Sequence, residues 1–151
     1  MRIGEALTRR AELQRRAAQL GERLRASAVV QEGDKPPEDP QGLLGELDEI
    51  ASELQRPIGA INATNAASRL PDGRTVTEAL AHRDVLTLRV GVLRTAAEAL
   101  AQAQARYSRS EIRLVRQLDA AALRSDIDAL SRERRELDTL IQEHNWTTDL
   151  T

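Results

Sequence analysis

The chain of 151 residues contains no cysteine and no phenylalanine, and it has only one tryptophan and one tyrosine. Without cysteine it can form no disulfide, no thiolate nucleophile and no Cys-ligated metal site. Because aromatic side chains normally contribute the largest buried areas, the core must be built from Leu, Ile, Val and Ala instead. Such side chains suit closely packed helices, and the length fits one domain.

An excess of charge of one sign is also lacking. The net charge is -2, and charged residues of both signs, together 30% of the chain, are interspersed along it. A general binder of nucleic acid or of anionic membranes would carry a basic excess, so we expect neither partner. The N-terminal residues lack the apolar segment of a signal peptide, and no run of about 18 apolar residues could span a membrane as a helix. We therefore expect a cytoplasmic protein.

Side chains for catalysis are few. His82 lies four residues after Glu78, so the two share a helix face, but a zinc site needs three or four ligands. His144 lies near a predicted helix end, where a cation would complement the helix dipole. No Ser/His/Asp arrangement, phosphate loop or dinucleotide fingerprint is present. The sequence thus predicts a protein that is not an enzyme and holds no metal and no cofactor.

Apolar residues recur at heptad spacing along four segments, a pattern typical of long helices that pack as coiled coils. Prolines and glycines after the first segment cannot continue its helix, and Leu70 to Gly73 is typical of a turn. The pattern predicts helices over about residues 3–27, 41–67, 75–105 and 120–143.

Details at the segment ends complete the predicted fold. Thr75 and Glu78 form a capping box for the third helix, and the polar tail after residue 143 is expected not to extend the fourth. β-branched residues favour short strands at 28–31 and 111–117, although the second segment also fits a helical period. The predicted fold is mainly α: an antiparallel bundle of about four long helices with a minor two-stranded β element, forming one domain over residues 1–151.

A polar segment joins the second and third predicted helices. Its amides and hydroxyls could hydrogen-bond a polar ligand, its arginines could hold an anion, and the start of the third helix adds backbone donors. The same residue types also end helices and close turns, so a purely structural junction is the alternative. The candidate ligand-binding residues are Asn62, Thr64, Asn65, Asp72, Arg74, Thr77, Arg83 and Asp84.

Ala-rich seams in short bundles leave apolar stripes uncovered. We therefore expect a homo-oligomer, either a two-fold dimer, the commonest closed symmetry, or a larger closed ring. Arg109 and Arg113 belong to a basic cluster that could form an inter-subunit surface, a solvated surface or a phosphate contact. Trp146 could anchor an interface, since Trp is enriched at binding hot spots, or cover the end of its own bundle.

Six segments resemble a small bacterial family of unknown function whose members often carry the label septicolysin-like: MRIGEALTRRAELQ, VQEGDKPPEDP, INATN, RLPDGRTVTEALAHRDVL, RYSRSEI and NWTTDL. The segments are spread along the chain from its first residue to Leu150, and the resemblance covers essentially the whole chain. The resemblance implies a small, mainly helical protein with an extended piece around Ile112, and it implies no established activity.

Three functional hypotheses follow. The leading one is a non-catalytic oligomeric scaffold or interaction protein. The second is binding of a small polar or anionic ligand at the junction of the second and third helices. The third is the membrane-active cytolysin that the family label suggests, although the chain lacks the ~9–11-residue alternating segments with aromatic girdles of inserted β-hairpins.

Overall fold

The computed structural model describes residues 1–105 and 112–151 and contains four long helices. They are α1 (Ile3–Ser27), α2 (Pro40–Ala67), α3 (Val76–Ala105) and α4 (Ala120–Thr147). The prediction of a mainly α fold with packed helix pairs is confirmed. The chain divides into two compact units, residues 1–68 with 143–151 and residues 69–142. The prediction of a single domain stays a prediction.

Local hydrogen bonds explain where three of the helices begin. The Asp39 and Asp119 carboxylates cap α2 and α4 by accepting from backbone N–H groups two and three residues further on, at 2.9–3.2 Å. At α3, the Glu78 N–H donates to Thr75 Oγ1 at 3.1 Å, and the Thr75 N–H donates to Glu78 Oε2 at 2.7 Å. The capping box is confirmed, and it fixes the direction in which α3 leaves the preceding loop.

In the first unit, α1 and α2 pack as an antiparallel pair through a purely aliphatic seam. Its buried members are Leu13, Leu20, Leu43 and Ile50, with four partly buried Ala and Leu residues against them. Arg23 bonds Glu38 at 2.6 Å and Glu46 at 3.0 Å. Arg9 pairs with Glu53 near the opposite end of α1. These pairs lie on the rim of the seam, so they fix the register of the two helices more than they add stability.

In the second unit, α3 packs against α4 over a core of the same kind. Its buried members are Leu70, Val76, Ala79, Leu86, Leu137 and Ile141. Arg83 near the start of α3 reaches Asp138 near the end of α4 at 3.4 Å, so this pair is antiparallel as well. Among the described residues, none of the helices combines the length and the apolar character needed to cross a membrane.

The predicted minor β element is absent from the described part of the chain. Residues 28–31 and 112–117 form no strand, and Glu111 lies outside the described residues. The β-branched residues that favoured strands are exposed there, Val29 at 85% and Val115 at 73%. A strand pair needs a buried face to be stable in water, and these segments have none. In the described ranges, β pairing is limited to single bridges, Arg2 with Asp149 and Arg69 with Thr75.

The prediction that α4 ends near residue 143 is wrong, because the helix continues to Thr147. Contacts within the first unit support these extra residues. The Arg2 guanidinium donates to the carbonyl oxygens of Trp146 at 3.2 Å and Thr147 at 2.6 Å, two of the groups that a helix end leaves unpaired. The Ile3 N–H donates to the Thr148 carbonyl at 3.0 Å. The polar tail thus finds its hydrogen bonds in the N-terminus of the chain.

Trp146 lies directly over Gly4 of α1. A Cβ atom at Gly4 would stand 2.7 Å from Cε3 of the indole ring, closer than side chains can approach. Trp146 nevertheless remains 57% exposed, so much of its surface is open to solvent. Glycine at this position is therefore required by the close approach of the ring, whereas Gly21 of α1 has no such neighbour.

We predict that Gly4→Ala lowers the free energy of unfolding by about 1 kcal/mol, because overpacking outweighs the gain in helix propensity. Gly21→Ala is the matched control and should raise it by about 0.5–1 kcal/mol. Denaturant unfolding followed by tryptophan fluorescence measures both, and the emission reports Trp146 alone. Equal stabilisation by the two substitutions would contradict the packing of the ring on Gly4.

Candidate functional site

The loop between α2 and α3, in the second unit, is a closed turn that presents Arg74 to the start of α3. The Leu70 N–H donates to the Arg74 carbonyl at 2.8 Å, and the Gly73 N–H donates to the Leu70 carbonyl at 2.9 Å. Gly73 has φ of 89°, in the left-handed region that glycine adopts without strain. The turn predicted from Leu70 to Gly73 is therefore confirmed.

Arg74 stands in a row of four side chains that hydrogen-bond in sequence. Its Nε and Nη2 donate to Asp72 Oδ2 at 3.0 and 2.6 Å, and its Nη1 lies 2.7 Å from His82 Nδ1. His82 Nε2 lies 3.1 Å from Glu133 Oε1 on α4. Because arginine can only donate, Nδ1 of His82 must accept, and the ring proton lies on Nε2, which donates to Glu133. The hydrogen bond from Arg74 also lowers the pKa of Asp72.

The arginines proposed to hold an anion already have carboxylate partners. The three guanidinium nitrogens of Arg74 all bond within the row just described. Arg83 is half-buried and bonds Asp84 Oδ1 at 3.2 Å and Asp138 Oδ1 at 3.4 Å. Thr77 is exposed on the first turn of α3. This arrangement favours the structural interpretation of these residues, and their ligand-binding role stays a prediction.

The remaining candidate residues lie in the first unit, on the last turns of α2. Asn62 is exposed and Thr64 is buried. Thr64 Oγ1 donates to the Ala60 carbonyl at 2.9 Å and accepts from the Thr151 N–H at 3.0 Å, so it anchors the C-terminal residue. Asn65 Oδ1 is buried and has no hydrogen-bond partner among the described residues. The candidates are thus divided between the units, three in the first and five in the second.

His144 is a residue whose role the sequence does not reveal. Its Nε2 lies 3.0 Å from Ser68 Oγ, and its Nδ1 lies 3.3 Å from Thr148 Oγ1. Burial lowers the pKa of this ring, so the structure favours the neutral form rather than the helix-end cation that the sequence predicts. His144 and Ser68 are 76 residues apart in the chain, so no local sequence pattern predicts their contact.

The other predicted features differ in outcome. Arg109 lies outside the described residues, and Arg113 is exposed. Trp146 is more than half exposed, as described above. Glu78 bonds Thr75 rather than sharing a ligand with His82. Within residues 1–105 and 112–151, no group of three or more His, Asp or Glu side chains is placed to hold a metal ion.

The most unusual surface in the second unit is on α3. Val85, Leu88 and Val92 follow one another at three- and four-residue spacing and are 52%, 66% and 62% exposed. We call these three residues the outer stripe. On the opposite face of α3, Leu86 and Val90 are at most 3% exposed. A helix that is apolar on two faces normally has both of them covered.

A shallow groove borders the outer stripe. It has a volume of about 460 Å³ and is lined on α3 by residues that include Leu88 and Val92, and on α4 by Asp126, Ala129 and Leu130. The heptad spacing that predicts α3 does not reveal the stripe, because it follows one apolar seam, the side of the helix that is buried. The signal is nevertheless present in the sequence as a second series of apolar residues on the same helix.

Comparisons with known proteins agree with this fold. A sequence model described as a family of unknown function, DUF6847, matches residues 10–150. The chain is similar to a protein from Corynebacterium diphtheriae whose crystal structure is described as that of a functionally unknown conserved protein. That likeness has 40% sequence identity and a TM-score of 0.92, and covers 100% of this chain and 99% of the other. None of the curated proteins compared with the chain matches it.

The lowered pKa of His144 predicts a pH dependence of stability. The folded state favours the neutral ring, so below the unfolded value of about 6.5 the unfolded chain binds more protons. The contribution of His144 is complete above that value and is lost as the pH falls through it. We expect His144→Gln to lose less stability than the parent between about pH 7.5 and about pH 5.5 in denaturant titrations. Identical losses would show that His144 is not the titrating group.

Proposed function

We propose that this chain, which belongs to the family of unknown function DUF6847, is a non-catalytic interaction protein that self-associates through the outer stripe of α3. The observation that carries the proposal is the exposure of the outer stripe, Val85, Leu88 and Val92. These side chains are more than half exposed, although they lie on a helix whose other face is fully buried.

The outer stripe differs from the other exposed apolar residues because its members follow one another along one helix face. Large exposed apolar side chains elsewhere in the described residues lie in loops, at the N-terminus, or singly on their helices, as Leu44 and Trp146 do. Single exposed residues such as Leu44 and Trp146 are normal and need no partner. The exposed apolar residues of the loops, among them Ile112, Leu114, Val115 and Leu118, lie close together in sequence but not on one helix face. Three in line at helical spacing instead form the seam by which one helix packs against another.

A second copy of the chain is the occupant that suits this surface. Full burial of a Val or Leu side chain stabilises a protein by roughly 1.5–3 kcal/mol relative to full exposure. The side chains of the stripe are about half exposed, so about half of that free energy could still be gained at each position by covering them. A two-fold pair would cover both stripes at once, because each copy presents the same surface to the other. The small residues further along the same line, Ala81, Thr95 and Ala99, would let two helix backbones approach closely.

The described polar groups support a role without catalysis. Arg74, His82 and Glu133 satisfy one another, and Thr64 holds the C-terminus. The ligand-binding alternative keeps one supporting observation, the buried Oδ1 of Asn65, which lacks a partner in the described residues. That single atom is weaker support than a continuous apolar row, so self-association is the function we propose.

We predict that the purified chain forms a discrete homo-oligomer and that Leu88→Glu shifts it to the monomer, because the new carboxylate would have to be buried in the contact. Thr87→Glu is the matched control: it adds the same charge one residue away, at an exposed position off the stripe, and should leave the oligomer intact. Sedimentation velocity over a range of concentrations measures both variants.

Two outcomes would contradict the proposal. The parent chain could remain monomeric at every concentration, or Leu88→Glu and Thr87→Glu could behave alike. Circular dichroism of each variant shows whether the helices are retained, so loss of the oligomer is not confused with loss of the fold.

A further inference from the structure

The spacing within the outer stripe has a geometric consequence. Val85 and Val92 are seven residues apart, with Leu88 between them, which places valine at the a position and leucine at the d position of a heptad. Among parallel helices, β-branched residues at a with leucine at d are the combination that favours two strands over three or four. The line from residue 81 to residue 99 is about 27 Å long at 1.5 Å per residue, enough for several turns of helix contact.

The residues that flank the stripe carry opposite charges. In the same heptad, Asp84 takes the g position and Arg89 takes the e position five residues later. In a parallel, in-register pair of helices, g of one copy faces the following e of the other, so each Asp84 would face Arg89 of the second copy. In an antiparallel pair, e faces e and g faces g, so Asp84 of one copy would not face Arg89 of the other. The charges therefore favour the parallel orientation, for which the apolar residues favour two strands.

Both charged groups are available for such a contact. Asp84 is 71% exposed in its side chain and accepts only long bonds, 3.2–3.4 Å, from the adjacent Arg83. Arg89 is exposed and has no ion-pair partner within residues 1–105 and 112–151. It also borders the groove beside the stripe, next to Leu88 and Val92.

From this placement we infer that two copies of the chain pair through α3 in parallel and in register, with Asp84 of each copy bound to Arg89 of the other on either side of the apolar stripe. The inference rests on the proposed function and adds to it the partner, the orientation and the charge pairs. A two-fold axis along the helices generates both charge pairs from a single contact.

Charge reversal tests the orientation. Asp84→Arg sets arginine against arginine at both pairs, and Arg89→Asp sets carboxylate against carboxylate. Each single variant should raise the dimer dissociation constant at least about tenfold, since two attractive contacts become repulsive. The double variant Asp84→Arg with Arg89→Asp restores two opposite-charge pairs and should return the constant to within about threefold of the parent.

The neutral variants Asp84→Asn and Arg89→Gln keep the shape of the side chains and should weaken the dimer by less than the reversals do. The measurement is analytical ultracentrifugation at low salt, where surface charge is least screened. Circular dichroism confirms that each variant is folded.

The outcomes separate this inference from the proposed function. Single reversals that dimerise like the parent, or a double variant that fails to recover, would overturn the parallel pairing. The proposed function would still stand if Leu88→Glu alone abolishes the dimer. A parent chain that is monomeric throughout would overturn both.

Discussion

Aliphatic side chains alone must hold this structure together, and that constraint shapes everything else in it. The chain has no phenylalanine, and its only tryptophan remains more than half exposed. Leu, Ile, Val and Ala fill a narrow layer, so each unit is a pair of helices packed at short range rather than a thick globule. A narrow layer covers one face of each helix, and on α3 it leaves the outer stripe uncovered by the described residues of its unit. The self-association that we propose would have the same origin as the fold, namely the lack of bulky side chains.

Charge has a different role from the apolar seams. Arg23 bridges Glu38 and Glu46, and Arg74 stands between Asp72 and His82. Most of these groups are partly exposed, where a single ion pair contributes little free energy. Their value is positional. A pair that joins two helices, such as Arg23 with Glu46, is satisfied in one register of those helices and broken in another. The flanking charges of the outer stripe would act in the same way between two copies.

Local chemistry accounts for the parts of the fold that the sequence predicts well. Asp39, Thr75 with Glu78, and Asp119 each bond backbone groups within three residues, so a reader of the sequence can place the starts of α2, α3 and α4 within one residue. The turn before α3 is local too, since Gly73 and Asp72 lie next to the groups they serve.

Predictions fail where distant residues decide the outcome. The end of α4 depends on Arg2, more than 140 residues away, and the environment of His144 depends on Ser68. Neither contact leaves a periodic trace in the sequence. The strands at 28–31 and 111–117 were predicted from β-branched residues alone, and propensity without a buried face does not make a sheet. The types of the candidate ligand residues can be read from the sequence. That Arg74 bonds Asp72 and Arg83 bonds Asp138 is visible only in the three-dimensional structure.

Cross-linking through single cysteines tests the central claim, self-association through α3, most directly. The chain has no native cysteine, so Val85→Cys and Val92→Cys each introduce one thiol and no competing reaction. Parallel, in-register pairing brings each new cysteine opposite its own copy, and both variants should form covalent homodimers under mild oxidation. Covalent dimers that form only when the two variants are mixed would show antiparallel pairing. The absence of any cross-link, in variants shown to be folded, would contradict association through the outer stripe.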